Sequence, residues 1–60
     1  MSRKPVEALF DALYALTDVR MIFRETAPKH ELTDEQKDRA RKALAKVRQH
    51  VDVIEKELKL

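Results

Sequence analysis

Apolar residues mark one face of a helix in the second half of the chain and several faces in the first half. Ala40, Leu44, Val47, Val51, Ile54 and Leu58 follow a 4-3-4-3-4 spacing, the heptad signature of a helix with one dry seam. Ala43 and His50 flank that seam, and the rest of the helix is charged or polar apart from Val53 and Leu60. In the first half one seam runs Val6, Leu9, Leu13, Leu16, Arg20 and Phe23, spaced 3-4-3-4-3. A second runs Ala8, Ala12, Ala15, Val19 and Ile22, spaced 4-3-4-3; it lies about 100° around the same helix. Phe10, Tyr14 and Met21 fall beyond the leucine seam, and the acids Glu7, Asp11, Asp18 and Glu25 share one narrow stripe. Apolar positions therefore cover more of this helix than the single stripe a surface helix needs.

Capping and breaking residues set the boundaries. Pro5 suits a first helical turn, where its missing N–H costs nothing, with Ser2 or Lys4 as the cap. Pro28 disfavours helical geometry at Ala27. Thr33-Asp34-Glu35-Gln36 reads as a capping box, in which threonine and glutamine satisfy each other's backbone N–H groups. Helices are thus expected over about 5–26 and 34–58, with a joint over about 27–33. Their lengths, roughly 33 and 37 Å, match. The expected fold is all-α: an antiparallel two-helix hairpin forming a single domain over residues 1–60.

Setting Thr26 opposite Asp34 pairs Leu16 with Leu44, Leu13 with Val47, Leu9 with Val51 and Val6 with Ile54. The hairpin core expected from this register is Val6, Leu9, Leu13, Leu16 and Phe23 against Leu44, Val47, Val51, Ile54 and Leu58. Arg20 falls opposite Ala40, whose small side chain leaves room for the arginine stem. The alanine seam then has no partner within one chain. Ordering each residue costs about 1.5 kcal/mol, and small domains without staples commonly solve this by association. A second hairpin seated on Ala8, Ala12, Ala15, Val19 and Ile22 would complete a homodimeric four-helix bundle, two-fold symmetry being the commonest.

Composition narrows the chemistry. With no cysteine there is no disulfide, thiolate metal site or thiol nucleophile. With no glycine there is no phosphate-cradling loop. The longest unbroken apolar run is Ala12–Leu16, far short of a membrane span. A cytoplasmic protein without a membrane partner is therefore expected. Ser2 is the only serine, and His30 and His50 stand apart from each other with no metal-ligand spacing. Neither catalysis, a metal nor a cofactor is expected.

Two surfaces remain as candidates. Phe10, Tyr14 and Met21, rimmed by Glu7, Asp18 and Glu25, have the composition of a protein-binding patch. This favours a small interaction module: a dimeric adaptor, regulator or inhibitor that binds a larger protein. The alternative uses Arg39, Arg41, Lys42, Lys46 and Arg48 as a nucleic-acid surface. Net charge is only +2, the basic residues spread around the second helix, and no aromatic interleaves them for base stacking. In length, hairpin layout and the Glu31-Leu32…Asp34-Glu35-Gln36 entry to the second helix, the chain resembles the Rop family of plasmid copy-number regulators. Its members are short helical hairpins that dimerise into four-helix bundles and bind RNA. The leucine-and-alanine first helix departs from that family, and no RNA-contacting residue carries over.

Overall fold

The computed structural model describes residues 3–60. Two helices, α1 (Lys4–Thr26) and α2 (Asp34–Leu58), fold back on each other as an antiparallel hairpin measuring 43 × 16 × 15 Å.

Each boundary has a local cause. Arg3 occupies the cap of α1 without a side-chain hydrogen bond, and Lys4 is already helical; the expected cap Ser2 lies outside the described residues. Pro5 stands in the first turn and is buried. At the other end the Thr26 hydroxyl donates to the Ile22 carbonyl at 2.9 Å. Ala27 then turns extended ahead of Pro28, across a cis peptide bond. The His30 N–H donates back to the Thr26 carbonyl at 2.8 Å. His30 itself takes a left-handed conformation, φ 56°, which histidine tolerates better than most residues. Its ring meets Phe23 edge-on, with centroids 5.5 Å apart.

The capping box forms as its residues predict. The Gln36 N–H donates to Thr33 Oγ1 at 3.2 Å, and the Thr33 N–H donates to Gln36 Oε1 at 2.9 Å. Gln36 Nε2 also donates to Glu25 Oε2 at 3.4 Å, so one side chain caps α2 and ties down the last turn of α1. At the open end Lys4 Nζ lies 3.9 Å from Glu57 Oε1. At the end of α2, Lys59 enters the left-handed region at φ 58°. The Lys59 N–H then reaches the Lys56 carbonyl and the Leu60 N–H the Glu55 carbonyl, the double bond of a Schellman ending.

The packing corrects the expected core. The buried residues of α1 are Pro5, Ala8, Ala12, Ala15 and Ile22, with Val19 and Thr26 half-buried. On α2 Ala43 is buried, and Gln36, Ala40, Val47, His50 and Ile54 are half-buried. Both sets keep heptad spacing, and they face each other. Of the residues expected in the hairpin core, only Val47 and Ile54 contribute to it. Val6, Leu9, Leu13, Leu16, Phe23, Leu44, Val51 and Leu58 are all 40–51% exposed. The alanine seam, expected to await a second molecule, is consumed within the chain, and Arg20 lies exposed. The reason is steric. Two helices alone can exclude water only along a narrow line of close approach, and alanine allows the near end of the ~8–10 Å range of helix separations. Leucines on that line would hold the backbones apart. Placed beside it, they lean over the joint and stay half open to water.

Candidate interaction surfaces

The half-exposed leucine side is an extended apolar feature of the hairpin. On α2, Leu44, Val51 and Leu58 are seven residues apart and so share one face. A groove of ≈ 240 Å³ lined by Pro5, Val6, Leu9, Ile54 and Leu58 crosses from one helix to the other at the open end. The leucine seam of α1 and the Leu44–Leu58 face of α2 therefore open on the same side of the hairpin. Toward the bend a second groove, ≈ 450 Å³, is lined by Leu16, Val19, Arg20, Phe23, Arg24, Ala27 and His30. Its two guanidinium groups make this the basic end of an otherwise apolar face. The outer rim on α2 is polar: Arg41, Arg48 and Glu55 each stand three residues before Leu44, Val51 and Leu58.

Phe10, Tyr14 and Met21 lie on the flank of α1 turned away from α2. All three are exposed, Tyr14 at 80%. They stay outside both the alanine seam and the leucine seam.

The basic residues of α2 form no stripe. Arg39, Arg41, Lys42, Lys46 and Arg48 are exposed. Asp38 lies 3.2 Å from Lys42 and 3.8 Å from Arg41, spending part of that charge locally. Such exposed pairs contribute about 0–1 kcal/mol each. The acid stripe of α1 is solvated, and no group of three or more His, Cys, Asp or Glu side chains among the described residues is arranged to hold a metal ion. No helix among them is long and apolar enough to cross a membrane.

Three members of the closing line on α2 lay outside the expected core: Gln36, and Ala43 and His50, which were expected only to flank it. Gln36 and His50 occupy the same heptad line as Ala40, Ala43, Val47 and Ile54. The signal was the unbroken 4-3-4-3-4 spacing of that set, as regular as the line through Leu44, Val51 and Leu58 but lighter in apolar mass. No protein-family model, curated protein or solved structure matches the chain, so the resemblance to the Rop family rests on the hairpin layout and helix entry alone.

Proposed function

We propose that the chain is a small cytoplasmic interaction module: a homodimeric four-helix bundle that binds a larger protein and acts as its adaptor, regulator or inhibitor. The observation that carries this reading is the half-exposed leucine side, eight large apolar side chains on one face of a hairpin whose own core is mostly alanine. Soluble proteins seldom leave so large a contiguous apolar surface uncovered unless it meets another molecule. Covering that side leaves Phe10, Tyr14 and Met21 on the outside, which suits them to partner capture.

The second reading, nucleic-acid binding through Arg39, Arg41, Lys42, Lys46 and Arg48, is favoured by the exposure of all five. The two readings part in one experiment. Tagged protein and its variants are used to capture partners from a lysate, with and without nuclease, across a salt series. The module reading expects a protein partner that is kept by Lys42→Glu/Lys46→Glu and weakened by Tyr14→Ala, by ~1 kcal/mol or more. Nuclease-sensitive capture that collapses between about 50 and 200 mM salt, and is lost in the double charge reversal, would establish the alternative.

A further inference from the structure

Phe10, Tyr14, Thr17 and Met21 stand 4-3-4 apart, so they form one line roughly 16 Å long on the outer face of α1. All four are exposed. The Thr17 hydroxyl already donates to the Leu13 carbonyl at 3.0 Å, so it brings no unmet donor to a contact there. An i, i+4, i+7, i+11 row of this kind is the spacing along which a helix of another molecule packs. Acids border one edge of the line only. Asp11, Asp18 and Glu25 recur every seven residues beside it, and Glu7 continues it at the open end; all four are exposed. Among the described residues, Glu7, Asp11 and Asp18 are paired with no cation, so their charge is available to a partner. The other edge is Val6, Leu13 and Arg20, which belong to the leucine side.

Shape and charge together select the occupant. A second copy of this chain does not fit. Beyond its seam and the leucine side, α2 exposes one large apolar side chain, Val53, too little to match a line of four. Laid on its own copy along this line, α1 sets its acids against acids or against Leu13. Phosphate surfaces, whether of lipid or of nucleic acid, are repelled by the acid edge. Resting on the module reading above, we propose that the Phe10–Met21 line takes one amphipathic helix of the partner protein. The apolar stripe of that helix packs on the line, and its Lys or Arg residues, seven apart, run along Asp11, Asp18 and Glu25.

Tyr14 provides the test, because it is the only tyrosine and the chain has no tryptophan; tyrosine emission therefore reports on this face alone. The probes are two helical peptides of three heptads with the same leucine stripe and no aromatic residue. They differ only in carrying Lys or Glu at the positions flanking the stripe. The net charge of +2 favours the Glu peptide. So does the leucine side, where Arg20, Arg24, Arg41 and Arg48 stand against Glu55. Only the Phe10–Met21 face favours the Lys peptide. The proposal expects the Lys peptide to shift Tyr14 emission and to bind about tenfold tighter than the Glu peptide. It also expects Asp11→Lys/Asp18→Lys, with helicity unchanged, to reverse that order. Equal or inverted affinities, no binding of the Lys peptide, or binding that leaves Tyr14 emission or the double variant's preference unchanged would each overturn the basic-helix assignment. The module reading would survive that failure if Tyr14→Ala still weakened capture of a protein partner, and would fall with it if capture did not depend on Tyr14.

Discussion

The alanine and leucine seams of α1 run side by side along the same helix, and they do different work. Ala8, Ala12 and Ala15 are each less than 10% exposed, while Leu9, Leu13 and Leu16 beside them are 40–51% exposed. Alanines fill most of the interior, with Ile22 near the bend as its one large and fully buried member, while the leucines lie at the surface, against the usual ranking by hydrophobicity. Burial in a two-helix unit is limited by how closely the backbones approach, so small size wins the shared line. Apolar mass then accumulates where only a further molecule can cover it.

Mutations can break this contrast in graded steps. Leu13→Lys sets a charge in the middle of the leucine side. Pairing should weaken by about 3 kcal/mol, the cost of an uncompensated buried charge, read as a lower mass by light scattering at fixed concentration. Ala12→Leu attacks the other seam. Overpacking should cost about 1–3 kcal/mol of stability in urea unfolding followed by helical circular dichroism. Gln36→Ala removes half of the capping box and the link to Glu25 together. A loss of about 1 kcal/mol is expected, shown as a lower urea midpoint with an unchanged slope. Tyr14→Ala should change stability by less than ~0.5 kcal/mol and leave the solution mass unchanged, because its side chain belongs to neither seam. A large effect of Tyr14→Ala on mass would place the dimer contact on the wrong face of α1.

Local chemistry made much of the fold legible. Pro5, Pro28 and the Thr33–Gln36 box mark the helix ends through interactions a few residues long, and these form as their spacing dictates. The two-helix hairpin follows from them. Which face closes the hairpin was not legible by weight of apolar residues, because Val6–Phe23 and Ala8–Ile22 have equally regular spacing. Choosing between them needs the physics of close approach, which favours alanine at the line where only two helices meet. Gln36 and His50 lay outside the expected core for the same reason: polar side chains at heptad positions can border a narrow seam while keeping one end in water. The exposed patch at Phe10, Tyr14 and Met21 was readable from helical phase alone, because it lies off both seams.

The central claim is that the alanine seam closes the chain and the leucine side closes the pair. Its most direct test is the solution mass of the unmodified protein by light scattering across a concentration series, with helicity recorded on the same samples. The account predicts a helical species of about 14 kDa, twice the 7.0 kDa chain, dissociating only on dilution. A stably helical 7.0 kDa monomer at every concentration would contradict it.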